Sequence, residues 1–227
     1  IADMLIQMGI TYGSEESIEL SEQISFFMMD RAIAASAKLA QQLGAFPMCE
    51  TEQIMKSPFF LQNTTEETRK LVEEFGLRNS QLLTIAPTGT LSTMLGISGG
   101  IEPIYANYYE RTTQSLHGRD VTYRVYTKIV EEYMKLHNLS EVDELPDYFV
   151  TAMELDYHSR LKMQATWQKH IDASISSTVN VPNEFSVEQV GELYFEAYEL
   201  GLKGVTLFRD GCKRTGILNV KPQKKAY

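Results

Sequence analysis

At 227 residues, 43% of them hydrophobic, the chain is long enough to bury a core as one large domain or one and a half small ones. A formal net charge of −9 and a pI near 5.0 exclude a general nucleic-acid binder, because affinity for a phosphate backbone needs clustered Lys and Arg. The only basic cluster, Lys221-Pro-Gln-Lys-Lys225, reads as a solvated tail, and no apolar run approaches the roughly 20 residues of a membrane span.

The chain opens with Ile1 in a helical pattern that lacks a capping residue, which reads as a piece of a longer polypeptide. Ser14-Glu-Glu16 starts a long helix to about Gly44, with Ile18, Ile24, Phe27, Met28, Ala32, Ala35 and Leu39 as its apolar positions. Residues 44–63 read as an irregular connection. Thr64-Thr-Glu-Glu67 is a capping box opening a helix to about Phe75, and Gly76 closes it. Gln81 to Ala86 is expected to be a short buried strand, and Ile101 to Thr112 an extended, aromatic one. Helices follow over about Val121–Leu136, near Pro146–Leu155, and from His158 to Ile171, where Trp167, Leu161, Met163 and Ile171 form a packed face. Ser176–Val181 alternates as a strand, Ser186-Val-Glu-Gln189 caps a helix to Leu200, and Lys203–Phe208 is a second strand. That is a strand–helix–strand unit of the length a parallel crossover needs.

The organisation expected is therefore a helix-rich α/β chain. It is mainly helical to about residue 80, with a loop and strand over 81–112, helices over 113–175, strand–helix–strand over 176–211, and a tail over 212–227. Cys49 and Cys212 lie far apart without a Cys-x-x-Cys, and His117, His137, His158 and His170 show no ligand spacing. The thiols read as structural or incidental, and no metal site is expected. Ile1–Gly9 has no basic leader and is interrupted by Asp3 and Gln7, unlike a signal peptide. The expected setting is a soluble, reducing, cytoplasmic one. Tyr105, Tyr108, Tyr109, Tyr123 and Tyr126 read as core aromatics, and Met4, Met8, Met28 and Met29 as gap-filling core residues.

Pro87-Thr-Gly-Thr90 is the stretch that carries chemistry. Apolar residues lead into it and a helical start follows, so free backbone amides, Gly89 and the hydroxyls of Thr88, Thr90 and Ser92 suit an anion. The same four residues make a good tight turn, with Pro setting φ ahead of a Gly that tolerates positive φ. Both readings stand on local chemistry. The stretch is neither a Walker loop nor a dinucleotide fingerprint.

Five ordered blocks decide between them. Gly76-Leu-Arg-Asn-Ser80, Ala86-Pro-Thr-Gly-Thr-Leu-Ser92 with Ser98-Gly-Gly-Ile-Glu-Pro103, His170-Ile-Asp-Ala-Ser-Ile-Ser176, Thr178-Val-Asn-Val-Pro182 and Gly201-Leu-Lys-Gly-Val-Thr-Leu-Phe-Arg-Asp-Gly211 resemble the large, catalytic subunit of ribonucleotide reductases. So does the opening, Ala2 to Gly13. The resemblance implies the C-terminal portion of a ten-stranded α/β barrel. It further implies a parent enzyme that makes deoxyribonucleotides for DNA synthesis by radical removal of the ribose 2′-hydroxyl. Its substrate-phosphate loop maps onto Pro87, Thr88, Gly89, Thr90 and Leu91, with Ser92 and Glu102 in support. Glu102 is read as holding the loop, since an acid beside a phosphate would repel it.

The family's radical cysteine and the Asn and Glu beside it have no counterpart here, so no catalytic residue is expected in this chain, which is predicted to be inactive alone. Partners implied are the ribonucleotide substrate and the N-terminal remainder of the parent chain, with self-association into a homo-oligomer among the expected assemblies. Neither a nucleic-acid polymer nor a membrane is expected as a partner. Leu207 and Phe208 stand where two adjacent tyrosines relay a radical in the classes served by an iron-bearing subunit. The chain therefore looks most like the adenosylcobalamin-dependent class II. A non-enzymatic interaction or regulatory module of reductase-like shape is the competing reading.

Overall fold

The computed structural model describes residues 1–114 and 120–211, and the side chains of 111–114, 120–123 and 143 lie outside that description. Helix α1 (Ala2–Gln7) starts from Ile1 without a side-chain cap. Helix α2 (Glu15–Leu43) begins as read: Ser14 Oγ accepts the Ser17 amide at 3.2 Å, acids fill the first turn, and Gly44 at φ 81° ends it.

The buried face of α2 differs from the expected apolar stripe. Phe27, Met28 and Leu39 are exposed, while Ser17, Ser21, Ser25, Met29, Ile33, Ala37 and Ala40 are buried. Small residues at i, i+4 spacing let a second helix, α8 (Tyr157–Gln168), approach closely, and the Ser21 hydroxyl reaches Met163 Sδ at 3.3 Å. The four methionines divide accordingly: Met29 is buried, Met4 packs against the core, and Met8 and Met28 face outward.

Residues 44–63 are not irregular. They hold α3 (Thr51–Lys56) and α4 (Pro58–Gln62), the latter started by Pro at its first position. Helix α5 (Glu66–Phe75) has Thr65 rather than Thr64 as N-cap. The expected box therefore slips by one residue. Its reciprocal acceptor comes from α2, where buried Asp30 accepts the Thr65 amide at 2.8 Å. Burial alone would raise the Asp30 carboxyl, but bonds from the Thr65 amide, Thr68, Arg31 and the Thr65 hydroxyl outweigh it and hold the group below its ordinary value.

Residues 81–86 are extended but half-exposed, not a buried strand. They pair with 173–176 through a parallel bridge at Ile85 and Ile175 and through Ala173 N to Leu83 O (3.0 Å) and Ser176 N to Ile85 O (2.8 Å). A short α6 (Gly89–Leu95) follows. Strands β1 (Tyr108–Gln114) and β2 (Asp120–Tyr126) then form an antiparallel hairpin with Tyr108 opposite Tyr126. The helix expected from Val121 thus begins only at Lys128, as α7 (Lys128–His137). Val121-Thr-Tyr-Arg-Val-Tyr126 is β-branched and aromatic in alternation, and a pairing partner lets that period win. No helix forms over 146–155. Thr151 donates through amide and hydroxyl to Glu154 Oε2 at 2.9 and 2.8 Å, closing turns instead. Tyr108 and Tyr126 meet edge-to-face and pack on the core, whereas Tyr109 is 40% exposed.

The last third follows the sequence closely. Strand β3 (Thr178–Val181) and strand β4 (Thr206–Arg209) are parallel, connected through α9 (Val187–Glu199), whose Ser186–Gln189 capping box is complete. Trp167, Leu161, Met163 and Ile171 are all buried, as expected. Helix α8 stops at Gln168, whose side-chain amide donates to Ile171 O at 2.8 Å and Ala173 O at 3.0 Å. Residues 83–85, 173–181 and 206–209 thus lie side by side and parallel, with helices against them. No closed barrel is present among the described residues. No helix among them is long and apolar enough to cross a membrane.

Candidate functional site

The chain leaves the parallel segment at Ala86 and enters α6 through Pro87 and Thr88. The residue with positive φ is Thr88, at φ 49° and ψ 22°, and not Gly89 as a tight turn would require. A β-branched residue in the left-handed region is strained and persists only where surroundings impose it. Here the Gly100 amide donates to Thr88 Oγ1 at 3.1 Å.

Gly99 and Gly100 are pressed against the back of the loop. A Cβ on Gly99 would lie 3.3 Å from Pro87 O, and one on Gly100, at φ 51°, would lie 2.9 Å from Ala86 O. A side chain is excluded at Gly100 and would need its neighbours to shift at Gly99, which gives Ser98-Gly-Gly-Ile-Glu-Pro103 its packing role. Asp3 of α1 braces the same turn, accepting the Ser98 amide at 2.8 Å on Oδ2 while its own amide donates to Ser98 Oγ at 3.2 Å. The sequence held no sign of that brace, since Asp3 reads as an ordinary first-turn acid.

The front of the loop is open. A Cβ on Gly89 would meet nothing within 4 Å, and Gly89, Thr90 and Leu91 are exposed. Their amides occupy the first turn of α6, where an N–H has no carbonyl within the helix to pair with. Pro87 is exposed and Thr88 half-buried beside them. Ser92 differs: it is buried and its hydroxyl donates to Gly89 O at 3.1 Å, so it turns inward to hold the helix.

Glu102 is half-buried and accepts the Thr178 amide at 2.6 Å on Oε1. Asp172 is likewise engaged by backbone, accepting the amides of Leu82 and Leu83 at 2.7 Å each, while Lys203 Nζ donates to Asp172 O at 2.6 Å. His170 is buried. Asn63 Nδ2 donates to Phe59 O and Lys169 O at 2.9 and 3.0 Å, so Asn63 Oδ1 is the acceptor of the His170 Nδ1 proton. Glu102 and Asp172 hold backbone in place, and His170 Nε2 lies 3.2 Å from Glu22 Oε1. Cys49 is a free thiol accepting the Leu77 amide at 3.4 Å, and Cys212 and His117 lie outside the described residues. Among the described residues no cluster of His, Cys, Asp and Glu could hold a metal ion. Leu207 and Phe208 are both half-buried on β4.

Comparison with known proteins places the chain in a family. A vitamin B12-dependent ribonucleoside-diphosphate reductase of Thermoplasma acidophilum is 32% identical over 99% of this chain, and one of Mycobacterium tuberculosis is 29% identical, also over 99%. The chain spans about 30% of the length of these relatives. Among solved structures, the class Id ribonucleotide reductase alpha subunit of Actinobacillus ureae superposes with a TM-score of 0.65 over 91% of this chain and 37% of its own, at 21% identity, a likeness of fold. The family model described as ribonucleotide reductase, barrel domain, matches residues 1–208, and the chain belongs to that family.

Proposed function

We propose that this chain is the C-terminal portion of the ten-stranded barrel of a ribonucleotide reductase, and that Pro87, Thr88, Gly89, Thr90 and Leu91 grip the phosphates of a ribonucleoside diphosphate. The observation that carries the reading is the contrast between the two sides of the loop. Behind it, a Cβ on Gly100 would lie 2.9 Å from Ala86 O and one on Gly99 3.3 Å from Pro87 O; in front, a Cβ on Gly89 would meet nothing within 4 Å among the described residues. Phosphate oxygens need many donors at short range, and exposed first-turn amides with the hydroxyls of Thr88 and Thr90 supply them. Leu91 contributes through its backbone. Ser92 and Glu102 support the loop from behind, and the Glu102 carboxylate is engaged by the Thr178 amide.

The parent enzyme is an oxidoreductase that supplies deoxyribonucleotides for DNA replication, working in the cytoplasm through a radical. The N-terminal remainder of the parent chain completes the site, and a homo-oligomer is the proposed assembly. Adenosylcobalamin is the proposed cofactor, as the names of the relatives and the apolar Leu207–Phe208 pair suggest, and when bound it supplies the radical. No side chain of this chain is assigned to hold it. By itself the chain supplies the phosphate loop and turns over no ribonucleotide.

The test is substrate kinetics of the full-length enzyme with Thr90→Val and with Gly89→Val. Loss of one charge-assisted hydrogen bond, about 1.5–3 kcal/mol, corresponds to a KM raised roughly ten- to hundredfold with kcat little changed. Gly89→Val fills the open face without disturbing the fold and is expected to weaken binding at least as much. Unchanged KM in both variants, or ribonucleotide turnover by this chain alone, sinks the reading.

A further inference from the structure

A chain of hydrogen bonds runs from a buried cation to the strained residue of the loop. Arg160, on α8, is 2% exposed, and its Nη2 donates to the carbonyl of Thr178. The amide of the same Thr178 donates to Glu102 Oε1 at 2.6 Å. The Glu102 amide donates to Gly99 O, and the Gly100 amide to Thr88 Oγ1, both at 3.1 Å. Tyr12 closes the group from the other side, donating to Ile101 O at 2.8 Å; burial pushes its phenol well up, so it stays a donor.

The guanidinium is poorly explained as a stabilising group. Its Nε and Nη1 are buried without a hydrogen-bond partner, and it forms no ion pair among the described residues. An apolar side chain of similar volume would fill the same space without burying unsatisfied donors. What the guanidinium does that an apolar chain cannot is hold the Thr178 carbonyl from one side while Glu102 holds its amide from the other.

We infer that Arg160 is a positioning residue for the phosphate loop: it fixes Thr178, and through Glu102 and the Gly99–Gly100 turn it sets the geometry of Thr88 and the amides that follow. The inference rests on the reading of Pro87–Leu91 as a phosphate grip. Nothing in the sequence marked it, since a lone Arg on a helix reads as solvated.

The experiment uses the full-length enzyme with Arg160→Met, Arg160→Lys, Glu102→Gln and the double variant Arg160→Met/Glu102→Gln. Two readouts are taken: KM and kcat for the ribonucleotide, and amide hydrogen exchange at residues 88–91. Arg160→Met is expected to raise KM roughly tenfold with kcat held within about twofold, and to speed exchange in the loop. Arg160→Lys, which keeps one donor, should recover part of both losses. Because the two residues act through Thr178, the double variant should be no worse than the more damaging single one. Wild-type KM and exchange in Arg160→Met, or additive effects in the double variant, overturn the proposal. Should Arg160→Met fail to fold, Arg160→Lys and Glu102→Gln decide it by the same two readouts. Should the wild-type enzyme fail to bind ribonucleotide, the phosphate reading falls by itself, and loop exchange in the variants still decides whether Arg160 positions the loop.

Discussion

The hydroxyl of Thr88 accepts the amide of Gly100 at 3.1 Å, and this contact joins a residue at φ 49° to a glycine at φ 51°. A strained threonine is braced by a glycine that takes the left-handed region freely, and the open side of the loop is shaped by what is packed behind it. Gly100→Ala would put a Cβ at 2.9 Å from Ala86 O in a conformation that disfavours it. The expected cost is about 1–3 kcal/mol. It should appear in denaturant unfolding as a lowered midpoint, together with weakened ribonucleotide binding by the parent enzyme. A midpoint within error of wild type would show that the turn can relax.

Asp172 anchors the segment leading into the loop, since its carboxylate takes the amides of both Leu82 and Leu83. Asp172→Ala leaves those donors unpaired and should destabilise by about 1.5–3 kcal/mol, whereas Asp172→Asn keeps an acceptor and should lose less. Equal stability of the two variants by thermal unfolding would contradict the anchoring role.

Asp30 gives the fold an acid-sensitive joint between α2 and α5. Its carboxyl is depressed below the ordinary 3.8 by bonds that outweigh burial. A depressed carboxylate contributes stability above its unfolded value, and that contribution is lost as pH falls through the folded one. Asp30→Asn should therefore be less stable than wild type near neutral pH, and the gap should narrow below pH about 4. A gap constant with pH would mean that the charge is not what caps α5.

This chain alone should self-associate. Leu91, Met94, Leu95 and Ile97 are 53–72% exposed around the loop, and Val187, Phe195 and Tyr198 on α9 are 62–79% exposed. Apolar surface of that extent, in a chain spanning about 30% of its relatives, calls for a cover. Sedimentation should show dimers or larger species with bound apolar dye. A clean monomer without dye binding argues the opposite.

Much of the fold was legible in local signals. Ser14 and Ser186 cap helices through amides three residues away, and β3–α9–β4 announced itself by alternation, a capping box and closing glycine. The loop was legible as an anion site or a turn, and five ordered motifs pointed to the family. Several features that the sequence did not show share one cause. Asp30 caps α5 across 35 residues, and Asp172 holds Leu83 across 89. Residues 120–126 became a strand because β1 was there to pair with them. The left-handed turn fell on Thr88 instead of Gly89 because Gly100, packed against Ala86, reaches its hydroxyl. Caps and periodicities are decided within a few residues, so the sequence by itself determined where most helices begin and that the chain is a reductase barrel segment. Which polar group meets which backbone amide depends on elements brought together from far along the chain. Only the tertiary structure decided that Glu102 accepts the Thr178 amide, that Asp172 accepts the amides of Leu82 and Leu83, and that Arg160 donates to the Thr178 carbonyl.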